Sequence, residues 1–216
     1  MTFTRTFIAG ILGLLLAIDV HECFHAWVAD RLGDPTGRYM GRISLNPIVH
    51  LDPLGTIMLL FSAISGRGIG WGKPVPVNPR NLRYGPRIGM GIVSLAGPFA
   101  NLVTAAIMAL PFRLRLVLPG ALSELFGWFV VMNIGLAVFN LIPLPPLDGY
   151  GVLQGIVAGI RGPTGYRLSQ RLAALERQGP ALLLFLILAS QFVGLDVLGW
   201  FMNPLRNFFY WLILGV

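Results

Sequence analysis

Charge is scarce in this 216-residue chain, at 12% of positions, where soluble domains carry about a quarter. That deficit argues against a water-soluble globule. Together with 55% hydrophobic residues and a mean hydropathy of +0.73, it points to lipid as the solvent. Cysteine is nearly absent: Cys23 stands alone, so no intramolecular disulfide can form. Acidic residues are few as well, nine against sixteen basic ones, giving a net charge of +7 and a pI near 10.5. Such a balance invites nucleic acid as a partner. However, the sequence has neither a basic tail nor a basic stripe interleaved with aromatics. The cations sit in short loops between apolar runs, where positive charge fixes orientation in a bilayer. The lipid bilayer is therefore the expected partner, and nucleic acid is not. No internal repeat, low-complexity tract or detachable second unit is visible, so residues 1–216 read as one membrane domain.

Long apolar runs are what the sequence does have. A helix crossing the hydrocarbon needs roughly 20 apolar residues, and four stretches supply them: about Thr6–Ala29, Ile88–Pro111, Ala121–Ile142 and Ala181–Phe201. The first resembles a signal peptide in having Arg5 ahead of it. It runs on to about Val28 without a small-residue cleavage site, so a retained helix is expected. Leu54–Ile64 and Tyr150–Ile160 are too short to cross comfortably, and Asn203–Pro204 separates the short tail Leu205–Val216 from the preceding run.

Charge decides how the short segments are placed. The loops Arg31–His50, Gly66–Arg87 and Arg161–Gly179 hold 12 of the 16 basic residues. All three share one side only if both short segments enter and return, and the positive-inside rule makes that side the cytoplasm. Thr36–Leu45 and Ile69–Val77, Gly-punctuated and partly alternating, predict a small β-hairpin at the membrane surface, with the prolines confining the second strand to an edge. Tyr166–Arg177 predicts a short amphipathic surface helix. The expected fold class is an all-α polytopic membrane protein. It would have about four to six transmembrane helices, re-entrant segments and that hairpin, with a catalytic core over about 4–160 and C-terminal helices over 180–216.

The first long helix contains His21-Glu22-Cys23-Phe24-His25, an H-E-x-x-H. Spacing i, i+4 puts both imidazoles on one helical face, able to grip one metal ion, while Glu22 can reach a water at that metal and take its proton. Intramembrane ionisable residues are rare and tend to mark function. Two histidines leave a catalytic zinc site one protein ligand short. Among the acids, Asp148 stands out at the end of Asn140-Leu-Ile-Pro-Leu-Pro-Pro-Leu-Asp148-Gly149. Prolines free backbone carbonyls, which is tolerated at depth only where the chain lines a cavity or is buried in protein. The alternative is a Pro-rich exit loop with a solvated aspartate. His50 reads as a hydrogen-bonding loop residue, with an approach to the metal or the substrate as the alternative, Cys23 as packing, and Asp196 as paired with another helix or near the interface; Asp19 is either a partner orienting a metal ligand or an interhelical cap.

These two motifs together resemble the site-2 protease family of intramembrane zinc metalloproteases (peptidase M50). Its signature pairs H-E-x-x-H with N-x-x-P-x-P-x-L-D-G on a later helix. Both are complete here, as His21, Glu22, His25 and as Asn140, Pro143, Pro145, Leu147, Asp148, Gly149. Gly97-Pro98-Phe99-Ala100-Asn101 resembles the family's G-P-x-x-N, and HAWVADRLGDPTGRYMGRISLNP, HLDPLGT and WGKPVPVNP resemble its compact branch without a PDZ domain. The resemblance covers roughly residues 15–160. It implies one zinc per chain on His21, His25 and Asp148, with Glu22 as general base. It also implies Asn140 as a substrate-positioning or oxyanion group, and Asn101 as a holder of the substrate backbone, unless Asn101 merely bonds between helices. The implied substrate is a transmembrane segment of another protein, unwound onto the hairpin edge and cut by a multi-pass protein of a prokaryotic cell membrane, with the site toward the cytoplasm. A metal-ion transporter or sensor using the same three ligands is the alternative.

Overall fold

The computed structural model describes residues 3–65, 70–194 and 196–215. Among them, the long helices are α1 (Phe3–Arg31), α5 (Pro86–Arg113), α6 (Gly120–Asn140), α8 (Pro163–Val193) and α9 (Val197–Leu214). The short ones are α2 (Thr36–Tyr39), α3 (Pro47–His50), α4 (Pro53–Ser65) and α7 (Asp148–Gly159). The chain is an all-α polytopic membrane protein. Thr4–Arg31, Pro86–Arg113, Gly120–Asn140 and Pro163–Phe192 are each long and apolar enough to cross a bilayer. Helices α4 and α7, with 13 and 12 residues, reach only roughly 20 Å, short of a hydrocarbon core of about 30 Å.

Helices α1, α5 and α6 pack against one another in all three pairings, and α7 lies along α5. Small residues set the α5–α7 approach. A Cβ on Gly91 would come within 2.9 Å of the Gly155 Cα, and one on Gly151 within 2.3 Å of the Ser94 Oγ. In lipid, where apolar burial gives helices no net attraction, such close backbone contact supplies the packing that holds them. Between α5 and α6 the core is Ala105, Ala109, Val130, Ile134 and Val138, closed by Ile213 of α9. Leu183 of α8 packs on Ile142, Leu144 and Leu147, the proline-rich link between α6 and α7.

Four expectations need correction. No β-hairpin forms among the described residues. Thr36–Tyr39 turns into helix α2 because Asp34 Oδ1 accepts bonds from the Thr36 hydroxyl and backbone N–H. Residues 70–77 are extended, but their one antiparallel bridge is Leu51 to Gly72; Pro74 and Pro76 lack the N–H groups a ladder needs. The expected first strand residue, Ile69, lies outside the described residues. The fourth apolar run does not form one helix. Gly194, at φ 75°, ends α8, and Asp196 starts α9 by accepting the Gly199 N–H at 2.8 Å. The surface helix expected at Tyr166–Arg177 is instead the first part of α8, which continues through Pro180, and α9 likewise continues through Pro204.

Candidate metal centre

Helix α1 presents His21 and His25 on one face, with ring centroids 4.5 Å apart and planes at 85°. Both are buried. Helix α5 makes room for them at one position: a Cβ on Gly97 would lie 2.4 Å from His25 Nε2 and 2.7 Å from His21 Cε1. The rings are also held by hydrogen bonds at their other nitrogens. His25 Nδ1 lies 2.7 Å from the Val93 carbonyl, which can only accept, so that nitrogen is the donor. His21 Nδ1 lies 2.6 Å from Asn101 Oδ1. The Asn101 amide nitrogen donates to the Ala17 carbonyl and to Asn133 Oδ1, both at 2.8 Å, which fixes its oxygen toward His21. With both Nδ1 atoms protonated, both Nε2 lone pairs are free for a metal.

Asp148 brings a third donor to the same point. It is the first residue of α7, and its Oδ2 lies 2.9 Å from His21 Nε2 and 3.3 Å from His25 Nε2. Gly149 allows this: a Cβ there would sit 2.3 Å from the Leu141 carbonyl oxygen, inside the end of α6. Yet Asp148 Oδ2 is buried and has no hydrogen bond. Both Nε2 atoms lie close to it, and with each Nδ1 carrying the ring proton a neutral imidazole turns a lone pair toward it. Three lone pairs aimed into one small space, with a buried carboxylate oxygen unsatisfied, repel one another unless a cation joins them. The three ligand atoms all lie within 4.8 Å of one another. Two imidazoles and one carboxylate are a donor set zinc accepts in catalytic sites.

Glu22 sits beside this cluster with one oxygen engaged: Oε2 accepts the Val75 N–H at 3.1 Å. A cleft of about 790 Å³ ends on His21 and Glu22. Its walls come from α1 between Thr6 and Glu22, from α4, from residues 70–74, and from α6 between Trp128 and Asn140. Asn140 lines it, donating only to the Leu136 carbonyl of its own helix at 3.0 Å. Asn101 does not line it. It is fully buried, and its amide is spent on Ala17, Asn133 and His21.

The remaining candidates are placed elsewhere. His50 is fully buried; its Nε2 donates to the Ser44 carbonyl at 2.7 Å, and burial, with Arg42 nearby, holds its imidazole below the usual range. Asp19 is buried on the side of Cys23, with Oδ1 unpartnered. Asp34 takes bonds from Thr36, Asn81 and Asn78, tying the α1–α2 turn to the turn before α5. Burial would raise its carboxyl, but those donors pull it below the usual carboxylate range. Two groups that hold the imidazoles escaped sequence reasoning: Asn133 and the Val93 carbonyl. Only Asn133 left a signal, as an amide within an apolar helix two turns before Asn140.

Comparison with known proteins agrees with this geometry. The model of peptidase family M50 matches residues 115–187, a stretch that includes Asn140 and Asp148. YwhC of Bacillus subtilis, which carries the name of a zinc metalloprotease, is 34% identical over 213 residues, covering 95% of this chain and 85% of that protein. Rip2 of Mycobacterium tuberculosis strain H37Rv, named likewise, is 30% identical over 215 residues, 98% of this chain and 75% of the relative. Rip2 of Mycolicibacterium smegmatis is 32% identical over 160 residues, 71% and 59% of the two chains. No solved structure matches. An M50 match over the α6–α7 region, and such relatives along nearly the whole length, set aside the transporter alternative: the chain belongs to peptidase family M50, the zinc metalloproteases of site-2 type.

Proposed function

We propose that this protease hydrolyses peptide bonds in or near transmembrane segments of other membrane proteins, as in regulated intramembrane proteolysis. It would do so in a prokaryotic cell membrane, with its site toward the cytoplasm. The observation that carries this reading is the cleft. From Thr6 to Glu22 it follows α1 over 17 residues, roughly 24 Å of helix, and its walls are mostly aliphatic, aromatic and glycine residues. A groove of that length and chemistry suits an apolar peptide segment better than a soluble one, and it leads to the only clustered His/His/Asp set among the described residues.

In this reading residues 1–216 act as one domain. His21, His25 and Asp148 hold one zinc per chain. Zinc, when bound there, supplies Lewis acidity that acidifies water and polarises a peptide carbonyl. Glu22 takes a proton from the attacking water and passes it to the leaving amine. With Oε2 tied to Val75, its Oε1 is the oxygen free for that work. Asn140 donates to the substrate carbonyl at the cleft wall, a preorganised donor to developing negative charge. Asn101 serves by fixing the His21 tautomer rather than by touching substrate.

Replacing Glu22 with Gln tests the assignment. The variant should keep about one zinc per chain while cleavage of a labelled single-span peptide in micelles falls by roughly a thousandfold or more. Cleavage at the wild-type rate would mean that another group takes the proton.

A further inference from the structure

Arg42 sits in the loop between α2 and α3, in the stretch that reads as a positively charged surface loop. The structure buries it instead: it is 3% exposed. A buried guanidinium is costly unless its N–H groups meet acceptors. Here the acceptors are backbone carbonyls of two separate segments. Nη1 donates to Val49, in α3, and Nη2 donates to Lys73 and, at 2.9 Å, to Pro74, in the extended segment beside the cleft. The Lys73 N–H in turn donates to the His50 carbonyl at 2.7 Å.

The segment held in this way is the one that touches Glu22. One residue beyond Pro74, the Val75 N–H donates to Glu22 Oε2. Gly72, at the other side of Lys73, faces the second carboxylate oxygen: a Cβ there would lie 3.9 Å from Glu22 Oε1. Among the described residues, the other backbone tie of segment 71–75 is the isolated bridge at Leu51 and Gly72 with its Lys73-to-His50 bond, since Pro74 cannot donate. The Arg42 charge is also near enough to interact with Glu22 electrostatically.

We propose that Arg42 is a positioning residue for the proteolytic reaction: by clamping the Lys73 and Pro74 carbonyls it aims the Val75 N–H at Glu22 and so orients the carboxylate toward the zinc site. The inference rests on Glu22 being the general base. It assigns Arg42 no contact with substrate or metal. Arginine suits the task because its planar fork reaches carbonyls of two segments at once, whereas a lysine ammonium lacks that fixed geometry.

The test uses full-length protein in micelles, comparing wild type with Arg42→Gln and Arg42→Lys. Three quantities are read: zinc per chain, hydrogen–deuterium exchange of the segment 70–77, and kcat and KM on a fluorophore-labelled single-span peptide with a Gly-Ser break. Arg42→Gln should keep its zinc, lose protection over 70–77, and lower kcat by about a hundredfold, the scale of an ångström-level misplacement at a reacting group, with a smaller rise in KM because residues 70–74 form one wall of the cleft. Arg42→Lys, which keeps the charge, should recover about tenfold of that loss. If Arg42→Gln does not fold, Arg42→Lys decides: exchange over 70–77 several-fold faster than wild type, with zinc retained, supports the clamp. Unchanged exchange over 70–77, or wild-type kcat in Arg42→Gln, overturns it. A wild-type protein that leaves the peptide uncut counts against the proposed substrate class, while the exchange measurement still decides the role of Arg42.

Discussion

Helix α1 delivers His21 and His25 as consecutive turns of unbroken helix, whereas Asp148 arrives on a chain interrupted by Pro143, Pro145 and Pro146 between α6 and α7. The two arms of the site are therefore secured differently. The histidine arm is fixed by its own backbone and by partners on other helices: Val93, Asn101 and, through Asn101, Asn133. The aspartate arm has no hydrogen bond on the oxygen that faces the imidazoles and is positioned by a steric fit, Gly149 against the Leu141 carbonyl. A site built from one rigid arm and one fitted arm should fail in different ways when each is disturbed.

The largest effect should follow from Gly97→Ala. Its new methyl would overlap both imidazoles, so zinc should be lost and activity should fall by about a hundredfold or more. Metal analysis after gel filtration checks this. Next is Gly149→Ala, which pushes only the aspartate arm from the end of α6. Zinc affinity, measured by chelator competition, should weaken by roughly thirtyfold while the histidine arm stays intact. Equal losses in these two variants would erase the distinction between the arms. Smaller again is Asn101→Leu, which removes the acceptor at His21 Nδ1 and frees the ring to change tautomer; affinity should fall about tenfold.

Legibility from sequence follows the same division. The histidine arm was readable because i, i+4 spacing on a helix is a local property that tertiary packing does not alter. Three of the four spanning runs were readable for a similar reason, since about 20 apolar residues in lipid have few alternatives to a helix. The role of Asp148 could be suspected from its prolines, but its distance from the histidines depends on how α7 packs along α5. That is a contact between residues, not a pattern within them. The hairpin was misread because alternation suggests strands, while Asp34 and the prolines of 70–77 direct the backbone into turns and an isolated bridge. Arg42 was hidden because a cation in a short loop looks like a topological signal until its burial is seen.

Asp34 provides the smallest effect and a control away from the metal. It is buried and accepts hydrogen bonds from Thr36, Asn78 and Asn81. Asp34→Asn should cost about 2 kcal/mol of stability at neutral pH, from hydrogen bonds to a charged group, and leave zinc affinity unchanged. Its folded carboxyl titrates lower than it would unfolded, so its contribution is present above the unfolded value of about 3.9 and is lost as pH falls through the lower folded value. Thermal melts of wild type and variant should therefore converge toward the acid end of that window. Melts that stay equally far apart as the carboxyl protonates would show that its charge is not what stabilises the turn.

His21 and His25 on α1 and Asp148 on α7 come from distant stretches of chain and meet where one ion would fit. Zinc content and affinity of Asp148→Ala, measured beside wild type in the same detergent at neutral pH, test that shared binding most directly. Wild type should hold about one zinc per chain, and the variant should bind it at least tenfold more weakly. Full zinc at unchanged affinity in Asp148→Ala would contradict shared binding.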